Sequence, residues 1–357
     1  MKPQKEIVLM KKCEQLAETI RQRIKTNQYK EKLPTERELM EESGMSRVTV
    51  RKAIAILQQD IPLRRSKKGG TYISNPQADT INRQLVILMP DSSPESIEII
   101  TGVENYFSSD NISITVKFTN LSVKSERAIL EELLKLNVAG FLIYPATTST
   151  NRDIFLRIAE RNIPLVFIDR SPFHMICSSV SINNQQIAID AVNYLYEQGH
   201  RQIAFFASGL KSQQSTVERL WGYSYAMSRH HLPVTKDHIF ALQNIDEMHQ
   251  CFERFFNIEN RATAVFCSDD VLAGYFICAA QERGYRVPED FSVIGVDNKD
   301  NVNTGGVALT TVCQPYRELG RQAAQIMDSI LSDNNRGMTK LYLPAEMILR
   351  DSVRKIN

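Results

Sequence analysis

The chain is predicted to be an α/β protein in which a small N-terminal winged helix-turn-helix precedes a much larger part built on parallel sheets. Three observations predict it. Two capped helical segments and a glycine-rich basic hairpin occupy residues 33–73. From residue 85 onward short apolar runs alternate with amphipathic stretches at intervals of roughly 25–35 residues, the pattern of parallel strands covered by helices on both faces. The charge is also split: residues 1–73 hold 17 Lys and Arg against 9 Asp and Glu, while the remainder holds 26 against 32. A basic head on an acidic body is the charge pattern of a polyanion-binding module fused to something else, with nucleic acid as the favoured partner.

Leu9, Cys13, Leu16, Ala17, Ile20 and Ile24 recur at helical spacing, so a first helix is expected to pack under the two that follow. Thr35 and Glu38 have capping-box spacing behind Pro34 and start the second helix, which Ser43-Gly44 ends. Ser46 caps the third, where Val50, Ile54 and Leu57 share an inward face. Arg47 and Arg51, four apart, lie together on another side of it. Leu63-Arg64-Arg65 and Thr71-Tyr72-Ile73 then flank Ser66-Lys67-Lys68-Gly69-Gly70 as a two-stranded wing. On shape alone this could be any small helical domain with a solvated basic face.

Residues 74–84 (SNPQADTINRQ) are polar and without periodicity, a linker between domains 1–73 and 85–357. Strands are expected at LVILM (85–89), ISITVKF (112–118), GFLIY (140–144), LVFI (165–168), IAFF (203–206), IFAL (239–242), TAVFC (263–267) and FSVIG (291–295). Helices are expected over 96–108, 125–136, 185–198, 216–229, 270–283 and 317–331. Eight strands over this length suit two three-layer lobes better than one wide sheet.

Several classes are disfavoured. No apolar run approaches the about 18 residues of a membrane span, and no apolar segment follows the first lysines, so neither membrane insertion nor export is expected and a cytoplasmic location is. The six cysteines lack C-x-x-C spacing and suit reduced thiols; neither they nor the six histidines form a metal pattern. The first strand is followed by Pro90-Asp91-Ser92-Ser93 rather than a dinucleotide-binding glycine loop, and no phosphate loop, nucleophile elbow or zinc-protease motif occurs. No catalytic residue, metal or cofactor is expected.

The residue match is narrower than the shape. LPTEREL, GMSRVTVRKAI and GGTYI resemble the DNA-binding domain of the GntR family of bacterial transcription regulators. The chain departs from that family's usual glycine where Asp60-Ile61-Pro62 leaves the third helix. The DNA-contacting set then expected is Ser46, Arg47, Thr49 and Arg51 in the major groove, Lys67, Lys68, Gly69 and Gly70 on phosphate or the minor groove, and Arg37, Lys52 and Thr71 beside them. Further on, QGHRQIAFFA (198–207), VPEDFSVIGVDN (287–298) and LTTVCQPYRELGRQAA (309–324) resemble the regulatory domain of the LacI/GalR family. The pairing of the two is similar to the arabinose-responsive repressors of bacteria.

That resemblance implies a periplasmic-binding-protein-like fold of two lobes joined by three crossings, an effector in the cleft, and a homodimer on double-stranded operator DNA. The first lobe would be about 85–169 with 315–336, and the second 170–314 with the C-terminal segment. Ligands in open α/β sheets bind beyond the carboxyl ends of strands, where Asp169, Asp269, Asp270 and Asp297 fall. For each carboxylate the alternative is a helix N-cap or a salt bridge between lobes; that alternative is favoured for Asp270, the ligand for Asp169 and Asp297. The resemblance adds Arg219 and Gln314 to the cleft, with Arg219 open to pairing one of the aspartates. Asp269 stands where the family commonly has Asn, and PDSSPES lacks the family's aromatic pair, leaving Ser93, Glu95 and Ser96 as weak candidates. Trp221, the sole tryptophan, is expected in the core rather than on a sugar. The function expected is a repressor of carbohydrate-use genes released by a small sugar or sugar derivative; a sugar-responsive activator and a sugar-binding receptor are the alternatives.

Overall fold

The computed structural model describes residues 2–26, 28–29, 32–61, 63–65, 70–73, 83–108, 112–242, 246–333 and 337–356. The chain forms two compact units, Met1–Asn82 and Arg83–Asn357.

In the first unit, α1 (Lys2–Lys25), α2 (Glu36–Ser43) and α3 (Arg47–Asp60) are followed by an antiparallel pair, β1 (Leu63–Arg65) and β2 (Thr71–Ile73). The Thr35–Glu38 capping box forms in both directions, and Gly44, at φ 65°, closes α2 in the left-handed conformation that glycine adopts without strain. Cys13, Leu16, Ala17 and Ile20 of α1 are buried against Leu39 of α2 and Val50, Ala53, Ile54 and Leu57 of α3. A core this small is completed by Leu33, which enters the wing by donating its N–H to Thr71 O.

The second unit holds two sheets, each six-stranded among the described residues. One runs from β3 (Arg83–Met89) through β4 (Ile112–Phe118), β5 (Gly140–Ile143), β6 (Leu165–Ile168) and β7 (Ser178–Ile182), in the order β13-β7-β6-β5-β3-β4. The other contains β8 (Ile203–Ser208), β9 (Ile239–Leu242), β10 (Ala264–Cys267), β11 (Ser292–Val296) and β12 (Thr310–Cys313), in the order β14-β12-β11-β10-β8-β9. Here β13 is Lys340–Leu343 and β14 is Glu346–Ile348; every pairing is parallel except β12 with β14. The first sheet is covered by α4 (Pro94–Phe107), α5 (Val123–Leu133), α6 (Arg152–Glu160) and the last helix. The second is covered by α7 (Asn184–Glu197), α8 (Gln214–Arg229), α9 (Asp246–Phe256) and α10 (Asp270–Glu282). The last helix is α11 (Tyr316–Asp333). Near-continuous Val, Ile, Leu and Phe in the central strands is what burial on both faces demands.

Two expectations about the lobes are corrected. The first crossing lies between β7 and α7, near residue 183, rather than after Asp169, because β7 returns to pair with β6. The chain also stays in the first lobe through β13, which pairs with β7, so only the stretch from β14 onward belongs to the second. The middle crossing, between β12 and α11, carries Gln314.

Glycines let two helix pairs meet at backbone distance. A Cβ on Gly102 of α4 or Gly320 of α11 would stand 2.0 Å from Arg317 O or Ile99 O respectively. A Cβ on Gly222 of α8 would stand 2.2 Å from Gln185 O, which fixes α8 against the start of α7.

Candidate functional site

In the first unit the outward face of α3 is polar and exposed. Ser46 caps the helix, accepting from Thr49 N–H, and leads into Arg47, Val48, Arg51 and Lys52, all solvent-facing. Glu36, the first residue of α2, accepts from Arg47 Nε at 3.0 Å and from Arg51 Nε at 3.0 Å. Hydrogen bonds from the two guanidiniums hold its carboxyl below the usual carboxylate range. Among the described residues these bonds use Nε alone, which leaves the pair of terminal nitrogens on each arginine as a fork, the geometry that reads guanine O6 and N7.

Arg37 is exposed on α2 with Nε on Glu41; Thr71 pairs with Arg65 at the tip end of the wing, with Gly70 just before it, and Lys67, Lys68 and Gly69 lie outside the described residues. Thr49 is not on this surface. It is 3% exposed with its hydroxyl 2.9 Å from that of Ser46, so it serves the helix cap. Sequence reasoning missed Val48, 57% exposed among the polar residues, and Glu36. A large apolar side chain left in water on a helix-turn-helix face is the signal for Val48, since thymine methyls offer it a partner.

In the second unit, the carboxyl ends of the two sheets supply a polar cluster. Asp169 follows β6 and Asp297 follows β11, and both adopt positive φ, 65° and 116°. Left-handed backbone at non-glycine residues costs energy and gathers at functional sites. Asp297 is anchored by its N–H on Val312 O, and its Oδ1 accepts from Gln314 Nε2 at 2.7 Å. Burial pushes its carboxyl up to about 7; the nearby cations of Arg219 and Lys299 pull against that, and Asp269 and Asp270 reinforce it. Gln314 is itself 6% exposed, and its Oε1 is the one buried side-chain nitrogen or oxygen without a hydrogen-bond partner among the described residues.

Arg219 is buried on α8, where the close α7 contact at Gly222 directs it inward. Its Nε donates to Asn184 Oδ1 at 3.0 Å and its Nη1 to the Ser268 carbonyl. Asparagine and a backbone carbonyl, rather than an aspartate, hold it in place. Asp169 accepts from Arg170 Nε at 3.3 Å, and Arg170 also donates to the Tyr144 hydroxyl.

The helix-cap role expected of Asp270 belongs to Asp269. Asp269 Oδ1 accepts from Leu272 N–H, and its Oδ2 accepts from Ser208 and Ser268 hydroxyls. Asp270 is buried one residue on, accepting from Thr311 Oγ1 at 2.6 Å and Lys299 N–H at 2.8 Å. Ser93 caps α4 and Ser96 donates to Asp91, while Glu95 pairs with Lys299 at 3.2 Å across the lobes. Trp221 is 60% exposed on α8, contrary to the core position expected of it: its side of the helix carries no cover.

Sequence reasoning also missed Lys299, Tyr144, Arg170 and Tyr316. Tyr144 and Arg170 each sit within two residues of a strand's end, and Lys299 lies two residues after Asp297. The Tyr316 phenol is pushed up by burial and by the negative charges of Asp297, Asp169 and Glu95, which sets it among residues of both lobes. The lobes touch at Glu95–Lys299, at Arg170 on Gln213, and at Thr148, whose N–H and hydroxyl donate to Ser212 O. Such an arrangement offers a multidentate polar lining with both acceptors and donors.

Comparison with known proteins matches residues 12–73 to the model of bacterial regulatory proteins of the gntR family, and residues 192–353 to a periplasmic binding protein-like domain. The arabinose metabolism transcriptional repressor of Geobacillus stearothermophilus is 27% identical over 341 residues, 91% of this chain and 92% of that protein. The HTH-type transcriptional repressor PurR of Vibrio atlanticus is 30% identical over 264 residues, 73% of this chain and 78% of that protein. The crystal structure of the transcription regulator CcpA of Lactococcus lactis superposes with a TM-score of 0.68 at 23% identity, over 76% of this chain and all of that one. Among the described residues no helix is long and apolar enough to cross a membrane. The chain belongs to the bacterial helix-turn-helix transcriptional regulators, with a DNA-binding domain of the gntR family joined to a LacI-type, periplasmic binding protein-like domain.

Proposed function

We propose that this regulator is a cytoplasmic, dimeric repressor of carbohydrate-use genes, which a small sugar releases from its operator. The single observation that supports the effector assignment is at the facing strand ends, where Asp297 bonds Gln314 and feels Arg219, and Tyr316 feels the charges of both Asp297 and Asp169. Hydroxyl groups need acceptors and fixed donors in such a lining, and carboxylates, amides and a held guanidinium supply both. The arabinose repressor relative supports a sugar as the ligand class.

On the DNA side, Arg47 and Arg51 enter the major groove with Val48 and Lys52, flanked by Arg37 and the wing. One such unit buries too little surface for tight specific binding, so two are presented by a dimer to a near-palindromic site. A sugar acts by favouring one lobe arrangement, and it can shift DNA binding only by its difference in affinity for the two.

Operator fragments selected from random duplex DNA, then challenged with a panel of pentoses and hexoses, test the whole proposal. A recovered inverted repeat released by one or a few sugars is expected. Recovery of no sequence preference, or retention of DNA with every sugar in a protein shown to bind one, contradicts it.

A further inference from the structure

The first N–H groups of a helix have no partner within it, and α8 supplies none of its own: Gln213, its N-cap residue, makes no side-chain capping bond among the described residues. The partner comes from the other lobe. Thr148, on the loop between β5 and α6, accepts from Gln214 N–H at 3.0 Å through its hydroxyl, which in turn donates to Ser212 O at 3.0 Å. Thr148 N–H donates to the same carbonyl at 2.9 Å. Beside it, Arg170 Nη1 donates to Gln213 Oε1. Ser212, Gln213 and Gln214, consecutive where the chain enters α8, are thus all held by the first lobe.

The loop that carries Thr148 is itself anchored. Glu126 of α5, buried at 0% exposure, accepts from Ala146 N–H at 2.8 Å with one carboxylate oxygen and from Asn151 Nδ2 at 2.7 Å with the other, which ties down both ends of the loop. Thr148 O accepts from Phe173 N–H at 2.9 Å. Thr148 is 1% exposed, and its N–H, hydroxyl hydrogen and carbonyl are all taken by protein groups, so it is not part of the effector lining. Water has no access to these bonds while the lobes touch, and parting the lobes breaks them together.

The same contact sets cleft geometry. Arg219 lies on α8 little more than one turn beyond Gln214, and Arg170, which grips Gln213, is the chain neighbour of Asp169. Holding the start of α8 on the first lobe therefore places Arg219 of one lobe opposite Asp169 of the other. We infer that Thr148 is a positioning residue of the effector response: it caps α8 from across the cleft in the sugar-binding arrangement, and so sets the sugar concentration at which the operator is released, while touching neither sugar nor DNA. This deepens the sugar-effector function proposed above and rests on it.

Three full-length proteins test it against the panel of pentoses and hexoses: the wild type, Thr148→Val, which keeps the shape without the hydroxyl, and Thr148→Ser, which restores the hydroxyl. Sugar binding is read by calorimetry, operator occupancy by mobility shift, and folding by cooperative unfolding. Thr148→Val is expected to weaken the sugar that binds the wild type about tenfold, and to raise the concentration needed for operator release by the same factor. Its sugar-free affinity for the operator is expected to stay within about twofold of wild type or to tighten, and Thr148→Ser to stay within about threefold throughout. In the wild type alone, hydrogen exchange over the first turn of α8 is expected to slow when that sugar is added, a readout that stands even if the valine variant does not fold. Unchanged sugar affinity in a folded Thr148→Val, or a loss that Thr148→Ser does not restore, overturns the role of the hydroxyl. Weaker sugar-free operator binding by Thr148→Val places the contact in the DNA-binding arrangement and overturns the inference, as does exchange in α8 that ignores the sugar. In each of these cases sugar still releases the wild-type protein, and the effector function stands. If no sugar binds while the wild type still binds DNA, the effector function itself fails, and this inference with it.

Discussion

Glu36 grips Arg51 at the Nε position, 3.0 Å from each carboxylate oxygen, while its Oε2 also accepts from Arg47 Nε. One side chain at the start of the first helix of the motif thus sets the direction of both arginines on the second. All three are partly exposed, so the pairs contribute little to stability. Their use is in orientation: an arginine held by Nε arrives at a base edge with its fork already aimed. Glu36→Gln is expected to leave the melting temperature of the first unit nearly unchanged yet lower discrimination between operator and random duplex in a competition mobility-shift assay. Arg47→Ala and Arg51→Ala are expected to cost about 1–3 kcal/mol each on the operator. Wild-type discrimination by all three variants removes this face from DNA recognition.

The contact of α8 with α7 at Gly222 controls the cleft from outside it. An added Cβ would meet the Gln185 carbonyl at 2.2 Å, backbone that cannot step aside, and α8 carries Arg219 one turn earlier. Gly222→Ala is expected to destabilise the second unit by about 1–3 kcal/mol through overpacking, and to blunt the sugar response beyond what that loss explains. Thermal unfolding read alongside sugar-dependent operator release separates the two effects.

Asp297 gives a stability signature with a defined sign. Its carboxyl, ordinarily near 3.9 in an unfolded chain, is raised to about 7 in the folded protein, first by burial. The folded state therefore holds a proton that the unfolded state has released. The resulting stabilisation is full below the unfolded value and lost as pH rises through about 7. Asp297→Asn, which keeps an acceptor for Gln314 and cannot ionise, is expected to melt above the wild type at pH 8. The difference narrows as pH falls toward 5. Parallel melting curves across that range contradict this environment for Asp297.

The pair between Glu95 and Lys299 joins the lobes with both side chains mostly covered. Against the opposing effect of burial, hydrogen bonds and Lys299 hold the Glu95 carboxyl below its usual range. Lys299→Met is expected to cost about 1–2 kcal/mol at neutral pH, a half-buried ion pair lying between exposed and buried cases. That contribution comes from a depressed carboxyl, so it is present above the unfolded value and fades as pH falls through the folded one. Denaturant curves at pH 7 and pH 4 check it: the gap between variant and wild type narrows in acid.

Local signals made the first unit legible in the sequence. Thr35 with Glu38, Gly44 and Ser46 mark helix ends by side-chain chemistry that acts within four residues, and each does so in the structure. The α/β alternation was equally plain where strands are apolar on both faces, as at Leu85–Met89 and Ile203–Phe206. It failed at β7, whose Ser178-Ser179-Val180-Ser181-Ile182 has too few apolar residues to register as a buried strand, and the first crossing was misplaced for that reason. In the cleft, strand ends pointed to Asp169 and Asp297. Lys299, Arg170 and Tyr316 were silent because their significance arises when the two lobes face each other. The cap at Asp269 was assigned one residue too late, a difference that decides which carboxylate is spent on α10 and which on Thr311.

Arg219 offers the most direct test of the proposal that the cleft controls DNA binding. It lies in the second unit, 159 residues beyond the end of α3 at Asp60 (219 − 60), and its bonds go to Asn184 and Ser268. Removing one charge-assisted hydrogen bond to a ligand costs about 1.5–3 kcal/mol, whereas reversing a two-state population from 1:99 to 99:1 requires about 5.5 kcal/mol of differential affinity. Operator occupancy of wild type and Arg219→Ala, titrated with the sugar that releases the wild type, is the measurement. The variant is expected to hold the operator with wild-type affinity in the absence of sugar and to stay bound at sugar concentrations that empty the wild-type complex. Release of Arg219→Ala along the wild-type sugar curve would contradict the assignment of this cleft as the site that governs the repressor.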